Sequence, residues 1–391
     1  MRRLALSCLA VLAALAAPPA RADFSGCVAA LRKDAARAGI SAKTIDAAFN
    51  GLQPDMKVLD FQQQQPEFKT PVWDYVDALV EDERVAEGKA AMAREARALA
   101  RVEETYGVSR YMLAAIWGVE SRFGQNMGQR PLVQSLSTLA CYGERANYFR
   151  SELMATLKII DRGDVPADKL NGSWAGAFGQ TQFMPSTFLR LAVDFEGDGR
   201  RDIVDSAPDA LASTANYLRK SGWRPSLPWG FEVKLPAGYS GPSGRKAMQS
   251  MSFWTAKGLT RTDGRPLSGG DAALLLPAGR DGPAFLVTRN FDAVYSYNAA
   301  ESYTLAACVL ADKLAGGSGI VTPWPTDDPL LPLEGRKQVQ ALLAQRGYDV
   351  GGPPDGDIGT KSKAAIADFQ QKNGLEVNGR ASVKVLAALK K

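Results

Sequence analysis

The chain has no histidine in its 391 residues. That excludes a Ser-His-Asp triad, a Cys-His dyad and any histidine-ligated zinc site. Acid and base work therefore falls to Asp, Glu, Lys or Tyr. Cysteine is scarce, with four residues (Cys8, Cys27, Cys141 and Cys308) whose spacing matches no metal motif. Long apolar runs are missing as well. The run Leu4 to Ala17 is short for a spanning helix, and no later run reaches about 18 residues. Nor is one sign of charge in large excess: 47 Lys+Arg face 42 Asp+Glu, and Arg2, Arg3 and Arg21 crowd the first 21 positions. Without those three the count is 44 against 42, a net of +2. Nothing in that balance calls for nucleic acid or an acidic membrane as partner. The 46% hydrophobic and 23% charged fractions are those of a soluble globular protein. The length fits two or three domains.

Residues 1–22 have the pattern of a secretory signal peptide. Two arginines precede the apolar run, and Ala20-Arg21-Ala22 forms an A-x-A cleavage site. Removal near Ala22 is expected, which gives an exported, periplasmic chain with no spanning segment after the leader. Cys8 lies too early for lipid attachment. Cys27, Cys141 and Cys308 then remain, and an odd count allows at most one intramolecular disulfide. Which two pair is open, as is the alternative of buried free thiols.

Residues 24–120 read mostly as helix, with apolar spacing of three and four over 24–38 and 41–50 and good helix formers over 86–102. Residues 60–75, polar and aromatic with two prolines, predict an extended segment. Helical patterns continue at 110–120, 132–140, 144–161, 184–192 and 208–220. From 222 to 300 Gly and Pro become dense, and β-prone pieces appear at 231–235, 272–277 and 284–289. A last helix spans 299–314. The stretch 315–329 is a linker by composition, and 330–391 forms a separate compact unit. The fold class is mainly α with a small β-containing insert.

One acidic residue stands out. Leu113, Ile116, Trp117 and Glu120 fall at i, i+3, i+4 and i+7, so Glu120 shares the apolar stripe of a helix with Ser109 as its cap and Gly124 as its stop. Desolvation there raises a carboxyl's pKa, as a general acid needs. The ordinary alternative is a Glu paired with Arg122 or with a backbone amide at a helix end. Downstream, residues 171–187 combine small residues with Gln180, Gln182, Trp174 and Phe183. Amides for hydroxyls and N-acetyls, with aromatic faces for rings, suit a sugar. Tyr295, Tyr297, Asn298 and Tyr303 form a third cluster.

In order, the segments WGVESRFG, TLACYGERANYFRSEL, GSWAGAFGQTQFMPST, DFEGDGRRDI, ALASTANYL and SYNAAESY closely resemble the lytic murein transglycosylases of the B type. The resemblance runs from about residue 24 to 315. It implies a lysozyme-like catalytic core over 23–314, with an accessory α domain and a small β-containing domain. The implied activity is cleavage of the MurNAc–GlcNAc β-1,4 bond of peptidoglycan without water, leaving 1,6-anhydro-MurNAc ends. Position by position it makes Glu120 the single acid/base and places Ser173, Gln182, Phe183, Tyr297, Asn298 and Tyr303 along the glycan groove. Arg145 matches a substrate-side arginine; Glu144 stands where the family often has a second basic residue. No cofactor is implied for the chemistry. The partner is the peptidoglycan glycan strand, and protein partners are not legible. A hydrolytic muramidase and a non-catalytic wall-binding protein are the alternatives.

Asp194 to Asp205 resembles an EF-hand loop, with Asp194, Glu196 and Asp198 at positions 1, 3 and 5 and Gly199 at the turn. Arg200 would offer its carbonyl, and Asp209 matches the aspartate that closes a longer loop in some family members. The reading is a structural calcium site, against an Asx-rich turn with Arg200 and Arg201 pairing the carboxylates. Residues 330–391 resemble a three-helix peptidoglycan-binding domain through QVQALL (338–343), DGDIG (355–359) and AAIADFQ (364–370). Leu342, Ala365, Ile366 and Phe369 are expected in its core, and Asp355-Gly356-Asp357 is expected to be a turn.

Overall fold

The computed structural model describes residues 24–62 and 70–391. The leader read at 1–22 lies outside the described residues, as does 63–69. The chain opens with Phe24–Arg37 and Ala42–Phe49. Ser41 caps the second helix, its hydroxyl accepting the Thr44 N–H at 3.3 Å. The 60–75 expectation is corrected at both ends: Lys57–Phe61 and Val72–Leu79 are helices. Pro71 immediately precedes the second, where its missing N–H costs no intrahelical bond. The expected 86–102 helix is two, Asp82–Arg94 and Ala96–Tyr106, broken at Glu95.

Two apolar cores carry the catalytic-sized part. One gathers around Arg110–Ser121, Ala207–Lys220 and Glu301–Leu314. The other gathers around Leu132–Tyr142 and Ala146–Arg162, with Phe178, Phe183 and Phe188. Tyr217 and Tyr297 pack against both, so they mark the seam between the cores. Glu301–Leu314 is buried along nearly its whole length. A helix apolar all round needs neighbours on every side, and that makes it the axis of its core.

The β insert is a four-stranded antiparallel sheet in the order Thr260–Arg261, Gly230–Lys234, Ala284–Val287, Ala273–Leu275. Phe231 and Leu274 both register against Leu286. These side chains close over Trp254 and Tyr239 as a small third core. Two short helices in this region, Met251–Ala256 and Arg289–Tyr295, were not legible from composition.

The stretch 315–329 is fastened along its course. The buried Glu232 carboxylate accepts the N–H groups of Val321 and Thr322, both at 2.7 Å. Trp324 donates to Asp77 at 3.1 Å. The C-terminal unit holds three helices, Leu333–Gln345, Thr360–Lys372 and Val383–Leu389. Ala365, Ile366 and Phe369 fill its core, with Leu342 half-buried against them. Asp355-Gly356-Asp357 is a turn gripped by the buried Gln340 amide, whose oxygen accepts the Gly356 N–H at 2.6 Å. The unit docks on Val72–Leu79 through Arg380, which donates to the buried Asp74 at 2.6 Å, and through Arg336 on Glu81. Burial pushes the Asp74 carboxyl up, and Arg380 opposes that.

Cys27 and Cys141 form the disulfide, with Cα atoms 6.0 Å apart, while Cys308 is free and fully buried. The bridge ties the first helix to Leu132–Tyr142 across 114 residues. A loop of that size constrains the unfolded chain strongly. Reduction, or Cys27→Ala, is expected to cost about 2–4 kcal/mol. Thermal melts with and without reductant check this, and a reductant-insensitive wild type would contradict it.

Candidate functional site

The helix Arg110–Ser121 sends Leu113, Ile116 and Trp117 into the core and leaves Glu120 half-buried at its end. Its start differs from expectation. Ser109 makes no side-chain cap; the Glu103 carboxylate accepts the Arg110 N–H at 3.1 Å instead. The helix also ends before Gly124. Arg122 and Phe123 turn left-handed at φ 51° and 59°. Phe123 then folds back under its own helix, edge-on to Trp117 at 5.7 Å between centroids. That return needs Gly118: a Cβ there would sit 2.6 Å from the Phe123 ring. Arg122 is not the partner of Glu120. It pairs with Glu87 and Glu83 on the helix Asp82–Arg94.

Ser121 explains why the Glu120 helix and the 171–187 segment belong together. Its buried hydroxyl donates to the Gln180 carbonyl at 2.5 Å and accepts the Gly124 N–H at 2.8 Å. Gln180 in turn bonds to Ile203 and Val204 by backbone and side chain. Gln182 sits at φ 49°, and its amide N–H groups reach Gly179 at 2.8 Å and Met127 at 3.0 Å. Ser173 is half-buried next to Gly128, its hydroxyl accepting the Ala177 N–H at 3.0 Å.

Phe183 is a correction. Its ring is 2% exposed and so offers no open face to a glycan. It packs against Tyr217 at 6.0 Å and Tyr297 at 5.9 Å, and those two lie 4.8 Å apart. The Tyr297 hydroxyl donates to Thr181 at 2.7 Å and that of Tyr217 to Ser296 at 2.5 Å. Phe183 thus backs Tyr297 instead of facing the groove. Asn298 follows, half-buried, on the turn before Glu301–Leu314. Arg145 stands apart at the head of Ala146–Arg162, exposed, with its guanidinium over Tyr148 and Phe149.

Tyr303, expected along the groove, is a second correction: it is 2% exposed on the buried axis helix, and its hydroxyl donates to the Glu120 carboxylate at 2.5 Å. Burial pushes the Tyr303 phenol well above its ordinary range, and the Glu120 charge adds to this. The phenol therefore keeps its proton, and so remains a donor, across neutral pH. A cleft of about 1240 Å³ opens beside Glu120. Tyr75, Arg84 and Arg122 line it on the catalytic side, and Gly356 and Arg380 line it from the C-terminal unit. Arg84 donates to the Gly118 carbonyl at 2.9 Å, and burial lowers its pKa. Tyr75, Arg84 and Tyr217 were missed in the sequence. Tyr75 lay in a stretch read as extended, and Arg84 in a run of helix formers with nothing to single it out.

The 194–209 loop does not gather its carboxylates around a point. Asp194 accepts the N–H groups of Gly197, Asp198 and Gly199 at 2.6, 3.2 and 2.8 Å. Asp198 accepts the Arg200 N–H at 2.9 Å, and Glu196 the Ser206 hydroxyl at 2.8 Å. Asp209, 1% exposed, accepts the N–H groups of Phe195, Glu196 and Asp202. Burial raises its pKa, and those bonds hold it down. Arg200 pairs with Asp202 and Arg201 with Asp164, not with Asp194, Glu196, Asp198 or Asp209. Among the described residues no three acidic or cysteine side chains come together to hold a metal ion. Backbone N–H groups and the Ser206 hydroxyl hold these carboxylates in the turn.

Comparison with known proteins places these observations in a family. Residues 23–312 match the family described as Transglycosylase SLT domain, and 333–389 match Putative peptidoglycan binding domain. The chain is 36% identical over 225 residues to the membrane-bound lytic murein transglycosylase B of Escherichia coli (strain K12). That match spans 56% of this chain and 60% of the relative. The structure of SltB3 from Pseudomonas aeruginosa, solved with a NAG-anhNAM-pentapeptide, is 44% identical with a TM-score of 0.76, covering 95% of this chain and 100% of that one. The Escherichia coli lytic transglycosylase Slt35, solved with calcium, is 29% identical with a TM-score of 0.65, covering 74% of this chain and 92% of that one.

Tyr303→Phe removes the hydroxyl and keeps the ring in the core. A hydrogen bond to a charged group is worth about 1.5–3 kcal/mol. Turnover of glycan strands is expected to fall roughly 10- to 100-fold, with the fold intact by circular dichroism. Unchanged turnover would show that the bond does not serve the site.

Proposed function

The chain belongs to the transglycosylase SLT-domain family, and from that premise we propose a lytic transglycosylase with Glu120 as its one acid/base. It cuts the MurNAc–GlcNAc β-1,4 bond of peptidoglycan and leaves 1,6-anhydro-MurNAc ends. The observation that carries this is the Tyr303–Glu120 hydrogen bond between two helices of one core. A carboxyl held by a permanent donor is fixed in place while it gives up a proton and takes one back.

A retaining glycosidase of the common kind needs a second carboxylate about 5 Å away as nucleophile. On the Glu120 side of the cleft, Glu83 is paired with Arg122, Asp74 with Arg380 and Glu81 with Arg336. The muramic N-acetyl oxygen takes the role instead, in a substrate-assisted route. Glu120 protonates the leaving oxygen as the glycosidic bond breaks. As carboxylate it then removes the proton of the muramic C6 hydroxyl, whose oxygen bonds to C1 and displaces the N-acetyl oxygen. That attack is intramolecular and so outruns water.

Tyr297, Asn298, Gln182 and Ser173 are assigned to the glycan groove, with Arg145 at its outer edge and Phe183 as the buried support of Tyr297. The C-terminal unit is assigned to holding the polymer. Export through the leader at 1–22 puts the enzyme in the periplasm, where its substrate is. The 194–209 loop is assigned a structural role, with its own N–H groups holding its carboxylates in the turn.

Glu120→Gln keeps shape and removes the titrating group. Turnover of purified peptidoglycan is expected to fall at least ~10²-fold, the scale of one acid/base group. Melting temperature and sacculus binding are expected to persist; near-normal turnover would sink the assignment. For the loop, calcium and chelator are expected to give the same melting temperature. A gain approaching about 2.7 kcal/mol at hundredfold excess over the dissociation constant would show that the loop opens to bind the ion.

A further inference from the structure

We propose that Arg245 is a positioning residue for the cleavage reaction: it clamps both ends of the turn that presents Tyr297 and Asn298. The proposal rests on the glycan-cleavage reading above. Arg245 belongs to the β insert, on the loop between Gly230–Lys234 and Met251–Ala256. The loop is fastened to the sheet next to it, where the Gly244 N–H donates to the Leu274 carbonyl at 2.7 Å. From that base the guanidinium reaches out of the sheet and meets three side chains. Its carbon lies 3.7 Å over the centre of the Tyr295 ring. One terminal nitrogen pairs with Asp292, and Nε lies 3.8 Å from the Glu301 carboxylate.

The placement of these partners is what matters. Asp292 lies in the first turn of the helix Arg289–Tyr295 and Tyr295 ends it, just before the turn. Glu301 begins the axis helix Glu301–Leu314, just after it, two residues ahead of Tyr303. Arg245 therefore bridges residues 296–300 from both sides. Its side chain is only 16% exposed, and its Nε is buried without a hydrogen-bond acceptor. A buried cation left partly unsatisfied is costly unless its geometry is needed. Without it, two carboxylates would face each other across the mouth of the turn. A planar guanidinium can stack on a ring and pair with carboxylates at once, whereas an ammonium supplies only the charge. Displacing a substrate-positioning turn by about an ångström costs on the order of 10²-fold in rate.

The test compares wild type, Arg245→Gln, Arg245→Lys and Tyr295→Leu on soluble uncross-linked glycan strands, well below every melting temperature. Arg245→Gln is expected to lower kcat about 10-fold or more, and Arg245→Lys to restore part of that through the charge alone. In an Asn298→Ala background the Arg245→Gln effect is expected to shrink sharply, since both act on one turn. Hydrogen exchange is expected to quicken at 296–300 and stay unchanged in Arg110–Ser121. Full additivity, or wild-type kcat with unchanged exchange at 296–300, would overturn the clamp. If wild type cleaves no glycan, the cleavage reading fails, and the exchange result still decides the clamp. If Arg245→Gln does not fold, Arg245→Lys and Tyr295→Leu carry the same comparison.

Discussion

The structure turns on the hydroxyl of Tyr303 against the carboxylate of Glu120. A single carboxyl that serves as acid and then as base must be partly out of water and still able to ionise. Burial alone would hold it protonated; full exposure would leave it ionised. A neutral donor at 2.5 Å stabilises the ionised form without adding a charge. The donor comes from a helix buried nearly end to end, so it cannot drift. The acceptor stands at a helix end whose reversal depends on Gly118 and Phe123. Ser121, one residue on, locks that end to Gln180. Two elements 183 residues apart thus meet at one bond because both are packed into the same core.

The apolar stripe singles out Glu120 as a carboxyl by a local signal, but its acid/base role comes from the resemblance of the ordered motifs, since the stripe alone fits an ordinary helix-end Glu. The β insert was legible because Gly and Pro density changes abruptly at 222. Phe183 was misjudged in direction. Spacing shows that an aromatic is present, but not whether it faces a groove or backs a neighbour, and here Tyr217 and Tyr297 cover it. Arg122 could equally have paired with Glu120; the left-handed turn at the helix end aims it at Glu87 instead. The calcium-like spacing of 194–209 was real, yet Asp194 is spent on three N–H groups of its own turn. The Cys27–Cys141 bridge and the Asp74–Arg380 pair span 114 and 306 residues, beyond any local pattern.

The helix Val72–Leu79 emerges as a junction. Its Asp74 is buried under Arg380 of the C-terminal unit, its Asp77 holds Trp324, and its Tyr75 lines the cleft with Glu120. Burying Asp74 is tolerable only while Arg380 is there, since removing one partner of a buried pair strands the other. The C-terminal unit is therefore mechanically part of the wall of the cleft beside Glu120.

The central claim is that one carboxyl, held by Tyr303, directs the muramic C6 hydroxyl and not water to C1. Digestion of purified peptidoglycan in isotopically labelled water, with mass spectrometry of the new ends, tests it most directly. The account predicts anhydro ends, one water lighter than reducing ends and free of solvent oxygen. Reducing ends carrying the label would contradict it and make the enzyme a muramidase.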